Sequence, residues 1–213
     1  MELYEKLTGM KIIFDLDGTL IDSRERLYSL FQHLVPASDL TFEAYWNYKR
    51  NKIDHRKILE TRYLFSEHAI VSFQKNWMDK IELPEWLAFD KPFKGITAYL
   101  MELKKQHDLY LVTARQYEAS VLVQLAEFGW TNIFTKVLVT AQKTEKINLI
   151  NNAIATNLAD WFVGDTGKDI ETGKSLGMQT AAVLSGFLNR EKLMEYNPDL
   201  IINCVTDFKP LKK

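Results

Sequence analysis

Four short apolar runs in this 213-residue chain each stop abruptly at acids, a threonine or a lysine. The first, KIIFDLDGTLID at 11–22, empties a buried-looking strand into Asp15, Leu16, Asp17, Gly18 and Thr19. Isolated carboxylates are expensive to bury, so such a run is odd as packing. It makes sense if the acids stand at the carboxyl end of a strand in an open α/β sheet, where ligands bind.

The rest of the pattern agrees. From about residue 95, helical and strand periods alternate. Helices are predicted at 95–106, 116–128, 144–155 and 168–176, and strands at 109–112, 137–139, 161–163, 180–184 and 200–202. Gly129 and Gly177 follow two of the helices as stop residues. This order predicts a parallel sheet with helices on both faces, a Rossmann-like doubly wound α/β fold. Residues 22–93 lack β alternation. They read as four amphipathic helices near 22–35, 41–50, 54–64 and 66–82, with Pro36, Pro84 and Pro92 at or near breaks. Their aromatic side chains can form a small core of their own. The expected division is therefore an α/β core of 1–21 and 94–213, with an inserted all-helical cap domain at 22–93. Such an insert would sit above the strand ends, where a lid covers a site.

Composition narrows the function. With 27 Lys+Arg against 28 Asp+Glu the formal net charge is −1, which implies no basic face for nucleic acid or an anionic membrane. The single cysteine, Cys204, excludes an internal disulfide framework and reads as a small buried hydrophobe. No apolar run reaches membrane-spanning length. The opening MELYEKLTGM lacks the pattern of a secretory signal, so a reducing cytoplasm is the expected setting. Oligomeric state is not legible.

The four clusters suggest roles. At Asp15 and Asp17, one carboxylate could act as a nucleophile and the other as general acid and base; an Asp-rich turn is the plain alternative. In LVTAR (111–115), Thr113 and the following N–H of Ala114 can hold a phosphate oxygen; Thr113 could equally be a helix cap. In TAQKTEKINLI (140–150), Lys143 follows a strand and stands at a predicted helix start, where a cation opposes the helix dipole. Pointed at the site, it would stabilise phosphoryl charge. Lys146, one turn on, is the competitor and reads as solvated. In WFVGDTGKD (161–169), Asp165 could bind a hard cation such as Mg²⁺ directly, with Asp169 behind it or serving as a helix N-cap. Carboxyl ends of parallel strands share one edge, so all four clusters can meet in space.

Together these residues resemble the haloacid dehalogenase (HAD) superfamily of phosphohydrolases. FDLDGTL (14–20), LVTAR, Lys143 and GDTGKD (164–169) are similar to its four motifs, and GKSLGMQTAAVLSG (173–186) to their continuation. The layout is similar to phosphoglycolate-phosphatase-like and β-phosphoglucomutase-like members. The resemblance implies Asp15 as nucleophile and Mg²⁺ ligand, and Asp17 as general acid/base that offers its backbone carbonyl to the metal. It implies Thr113 and Ala114 at the phosphate, Lys143 as the neutralising cation, and Asp165 and Asp169 as metal residues. The substrate would be a small phosphorylated metabolite, hydrolysed through an aspartyl-phosphate. Thr144 stands where the family often has proline after the lysine.

A phosphomutase of the same layout, a 2-haloacid dehalogenase and a catalytically silent binding protein are the alternatives. Asp17 speaks against the dehalogenase, whose chemistry has no leaving oxygen to protonate. A phosphonate-cleaving enzyme would need a Schiff-base lysine among Lys49, Lys52 and Lys57. Lys49, Arg50, Lys52, His55, Arg56 and Lys57 form a basic run that either meets an anionic substrate or is a solvated face. Of Arg24 and Arg26, Arg24 is the better placed to reach the cleft.

Overall fold

The computed structural model describes residues 9–210. The reading of the amino-terminal stretch falls mostly outside them. In chain order the elements are β1 (Lys11–Phe14), β2 (Ile21–Asp22), α1 (Arg24–Leu34), α2 (Phe42–Arg50), α3 (His55–Thr61), α4 (Glu67–Lys80), α5 (Pro84–Leu87) and β3 (Lys91–Pro92). There follow α6 (Ile96–Lys104), β4 (Asp108–Thr113), α7 (Glu118–Glu127), β5 (Lys136–Val139), α8 (Lys146–Ala153), β6 (Trp161–Gly164), α9 (Gly167–Ser175), β7 (Gln179–Val183), α10 (Arg190–Met194) and β8 (Leu200–Ile202).

Six strands form one parallel sheet in the order β5-β4-β1-β6-β7-β8. Each strand alternates buried residues between two faces. Ile12, Phe14, Leu109, Leu111, Trp161 and Val163 pack on one side with Ile96 and Leu100 of α6 and Val121 and Leu125 of α7. Ile13, Tyr110, Val112 and Phe162 pack on the other with Ile150 of α8 and Ile154. Both faces are covered, as a parallel sheet requires. The chain leaves β1 for β4 on one side and later returns to β6 on the other. The order reverses at β1, which places a crevice between the carboxyl ends of β1, β4 and β6.

Helices α1–α5 gather around a separate cluster that includes Phe31, Tyr45, Trp46, Ile58, Leu59, Ile70 and Phe73. Thr41, Asp54 and Ser66 cap α2, α3 and α4 by accepting from the backbone N–H three residues on. The sequence pattern misses three pieces here. α5 is one turn with Pro84 at its start, and the two-residue strands β2 and β3 pair antiparallel where the chain leaves and re-enters the sheet. All are too short to show a period. The insert also touches the sheet layer beyond these connections: Asn189 N donates to Arg50 O at 3.1 Å, and Trp46 packs edge-on against Phe187. Cys204 is half-buried rather than buried, because it precedes a short 3-10 turn at the surface.

Among the described residues, no helix is long and apolar enough to cross a membrane.

Candidate active site

A cavity of about 1040 Å³ opens at the crevice between the strand ends and the helical insert. Asp15, Asp17, Thr113, Ala114, Lys143, Lys146, Asp165 and Asp169 all line it. Within that wall the charged groups sort into two clusters.

The first gathers around Asp15. Its backbone N–H donates to Val163 O at 2.9 Å, which extends the β1–β6 pairing by one step and fixes the carboxylate beside Asp165. The turn that follows needs Gly18 twice over. Its φ is +82°, a region in which only glycine rests without cost. A Cβ there would also lie 2.4 Å from Asp165 Oδ2. Asp165 is fully buried and accepts from Phe187 N at 2.7 Å and Thr19 Oγ1 at 3.3 Å. Asp169 closes a capping box at the start of α9: its Oδ2 accepts from Thr166 N at 3.0 Å and Thr166 Oγ1 at 2.6 Å. Its Oδ1 accepts from Lys146 Nζ at 2.7 Å, so Asp169 both caps the helix and faces the site.

One carboxylate oxygen from each of Asp15, Asp165 and Asp169 lies within 4.8 Å of the other two. Against three acids the cluster sets one cation, Lys146, whose Nζ reaches Asp15 Oδ1 at 2.5 Å. Burial and the crowding of like charges have the expected effect. Burial pushes Asp15 up to about 7, with Lys146 opposing and Asp169 assisting. Burial, then Asp15 and Asp169, push Asp165 well above the carboxylate range. Burial would lower Lys146, but Asp15 and Asp169 outweigh it and hold the ammonium firmly charged. Hard oxygen donors whose formal charge with Lys146 is about −2 when all three acids are ionised suit a divalent cation of the magnesium kind.

The cation of this cluster is Lys146, not Lys143. The helix predicted from 144 begins at Lys146, because Ala141 (φ +52°) and Gln142 (φ +56°) form a left-handed kink that takes up the preceding residues. Lys143 lies exposed on that loop, its N–H donating to Thr140 O. The signal was present in the spacing. Lys146 precedes the core residue Ile150 by four positions and so shares its inward face.

The second cluster holds Asp17, whose side chain turns away from the three acids. Arg115 grips it with two bonds, Nε to Oδ2 at 2.6 Å and Nη2 to Oδ1 at 2.8 Å. Arg26 Nη2, from α1, also donates to Asp17 Oδ1. The same arginines meet Asp90: Arg115 Nη2 donates to its Oδ2 at 2.9 Å, and Arg26 Nε lies 3.0 Å from its Oδ1. Gln124 of α7 donates to Asp90 Oδ2 at 3.0 Å. Burial would raise Asp17, but Arg115 and Arg26 outweigh it and hold the carboxyl below its ordinary range. Thr113, at the end of β4, is buried, and its Oγ1 accepts from Arg115 N at 3.3 Å.

Arg115, Asp90 and Gln124 carry no role in the sequence reading, though Arg115 lies inside a quoted motif, and Arg26 is there the less favoured of two cleft candidates. Arg24, the expected cleft arginine, instead forms a two-bond pair with its neighbour Asp22. The basic run does not line the cavity. Arg56 pairs with Glu67 and Glu60, Lys52 bonds Tyr196 Oη, and His55 lies among aromatic rings.

Comparison with known proteins gives this geometry a family. The family model for haloacid dehalogenase-like hydrolases matches residues 12–183. The chain is 26% identical over 208 residues to a phosphoglycolate phosphatase from Mesorhizobium japonicum, covering 90% of this chain and 89% of that one. It is 28% identical over 228 residues to the pyrophosphatase PpaX of Bacillus cereus, covering 94% of each. Among solved structures, a haloacid dehalogenase-like family hydrolase from Streptococcus pneumoniae superposes with a TM-score of 0.69 at 20% identity, covering 92% and 94%. The HAD-hydrolase YfnB from Bacillus subtilis, bound to magnesium, does so with a TM-score of 0.60 at 17% identity, covering 93% and 96%. The parallel sheet, the site at its switch point and these matches agree: the chain belongs to the haloacid dehalogenase-like hydrolase family.

Proposed function

We propose that the chain is a Mg²⁺-dependent phosphatase that hydrolyses a small phosphomonoester through an aspartyl-phosphate on Asp15. The observation that carries this reading is the cluster of three buried acids and one lysine at the strand ends. Asp15, Asp165 and Asp169 would hold Mg²⁺, together with the backbone carbonyl of Asp17. The ion, when bound, supplies positive charge to an anionic nucleophile and an anionic substrate.

The remaining steps belong to the chain's own groups. Asp15 attacks phosphorus in line, and the oxygen–phosphorus bond to the leaving group breaks. Lys146 offsets charge on Asp15 and on the transferring group. Thr113 and the N–H of Ala114 orient the phosphoryl oxygens. Asp17 gives a proton to the leaving oxygen and takes one from the water that cleaves the aspartyl-phosphate. These two halves need opposite protonation states, and the paired arginines favour the carboxylate that serves the second half. Residues 22–93 act in this reading as a cap domain over the cavity. The names of the phosphoglycolate phosphatase and pyrophosphatase relatives support a small phosphorylated substrate. The single cysteine is consistent with work in a reducing cytoplasm.

Hydrolysis of p-nitrophenyl phosphate with Mg²⁺, against an EDTA-treated control, tests the reading. Turnover should vanish with EDTA and return with Mg²⁺. Asp15→Asn should lose about 10⁴-fold or more, the scale of removing a nucleophile. Full activity in that variant refutes the assignment.

A further inference from the structure

We infer that Arg26 and Glu82, both on the helical insert, are positioning residues that set Asp17 and the phosphate-binding turn in place when the insert is seated. The inference rests on the phosphatase reading for what those groups do, and on geometry for how they are held.

The insert reaches the second acid through Arg26 above all. Arg26 lies on α1, and its side chain is 3% exposed. It donates to Asp17, to Ile81 O at 3.3 Å, and faces Asp90 beside the return strand β3. Asp17 is thus gripped from two sides, by Arg115 of the sheet layer and by Arg26 of the insert. A guanidinium on a carboxylate fixes orientation as well as charge.

Glu82 makes the second link. It follows α4 and is buried, yet its partners lie across the crevice. Its Oε1 accepts from Gln116 N at 2.7 Å and its Oε2 from Tyr117 N at 3.3 Å. Those are donors at the start of α7, where an anion is favoured by the helix dipole. Gln116 answers by donating from Nε2 to Met78 O at 2.9 Å. Gln116 follows Thr113, Ala114 and Arg115 directly in sequence, so the insert holds the turn that would bind phosphate.

These contacts converge on one short segment, 113–117, and on Asp17. When the insert moves away, Asp17 loses Arg26 and the turn loses Glu82 together. Seating of the insert and alignment of the two catalytic elements are therefore one event. A group misplaced by about 1 Å can cost 10²-fold in rate, which sets the expected scale.

The test places spin labels at Lys75→Cys on the insert and Lys174→Cys on the sheet layer, both exposed, in a Cys204→Ser background. Pulsed electron resonance reads the distance between them, and p-nitrophenyl phosphate turnover is measured on the same proteins. Arg26→Met should broaden the distance distribution and lower kcat by about 10²-fold with little change in KM. Arg26→Lys, which keeps the charge, should restore the narrow distribution and part of kcat. Glu82→Gln should broaden the distribution on its own, and it decides the matter if Arg26→Met does not fold. Arg62→Met, which breaks a pair internal to the insert with Asp39, should leave the distance as it was. Unchanged distances and kcat in folded Arg26→Met and Glu82→Gln overturn the inference and leave the phosphatase reading intact. Broadened distances in a chain that never turns over a phosphomonoester uphold the linkage and sink the phosphatase reading.

Discussion

The two charged clusters lie side by side in one crevice and are built on opposite plans. Around Asp15, three buried acids meet one lysine, and burial leaves Asp15 and Asp165 raised. Around Asp17, the arginines Arg26 and Arg115 match Asp17 and Asp90; they hold Asp17 lowered, while burial still raises Asp90. A charge deficit in a dry place is costly in isolation; it is tolerated where an external cation completes it. A balanced cluster needs nothing added and serves to hold separate parts of the chain in register. The acid-rich cluster draws on β1, β6, α8 and α9, all of the sheet layer. The balanced one spans the sheet layer and the insert.

The sharpest way to break this contrast is to unbalance the balanced cluster. Arg115→Met removes the only two-bond partner of Asp17 among the described residues and strips Asp90 of one of its arginines. Breaking a buried pair from one side costs about 3–5 kcal/mol. Urea unfolding should show a loss of that order. A loss below about 1 kcal/mol, the range of an exposed pair, would mean the cluster is wetter and looser than its geometry implies. On the acid-rich side, Lys146→Met should lower kcat by about 10²–10³-fold, as removal of one preorganised charge does. Lys143→Met should change it far less. The reverse ranking would return the catalytic charge to the loop lysine.

That lysine shows where sequence reasoning stops. The sheet was legible because a buried parallel strand advertises itself as an apolar run, and Asp15, Thr113 and Asp165 sit where such runs end. The lysine was not, because its assignment turns on a helix start that lies two residues later than the pattern suggests. Two consecutive left-handed residues, Ala141 and Gln142, moved that boundary, and neither is a glycine that would have announced it. Arg26 and Glu82 were illegible for another reason. Their partners Asp17 and Gln116 are nine and 34 positions away, and the approach of insert to sheet is tertiary. Period and composition carry no record of it.

The acid-rich cluster yields a stability prediction of opposite sign. Asp165→Asn keeps its one oxygen for Phe187 N, turns its amide NH₂ toward Thr19 Oγ1, which can accept, and removes a buried ionisable acid. Without metal the variant should be more stable by about 1–2 kcal/mol, as when function-bearing strain is relieved. Thermal unfolding should also show Mg²⁺ raising the midpoint of the parent chain, as a ligand of the folded state does, and leaving that of the variant where it was. A variant less stable than its parent would mean the three acids are not in electrostatic conflict.

The smallest effect tests the same rule far from the crevice. His55 sits among Phe31, Tyr45, Phe73 and Trp77, with Nε2 bonded to Tyr45 Oη at 2.8 Å. The charged group acting on it is Lys49, a cation, and burial followed by Lys49 holds its pKa well below 6.5. The folded chain therefore keeps His55 neutral while the unfolded chain protonates it near 6.5. Below that pH the unfolded state binds the extra proton, so stability present above 6.5 is lost as pH falls toward the folded pKa. Between pH 7.5 and 5.5 the loss from this one residue is about 1.4 kcal/mol, one decade of proton activity below the unfolded pKa. His55→Gln keeps a partner for Tyr45 Oη and should lose less stability than the parent by that amount over the same interval. Titrations of the raised acids Asp15 and Asp165 persist in both chains, so the difference isolates the ring. Equal losses in the two would show that His55 finds a counter-charge in the insert, and that buried charge here is not governed by local balance.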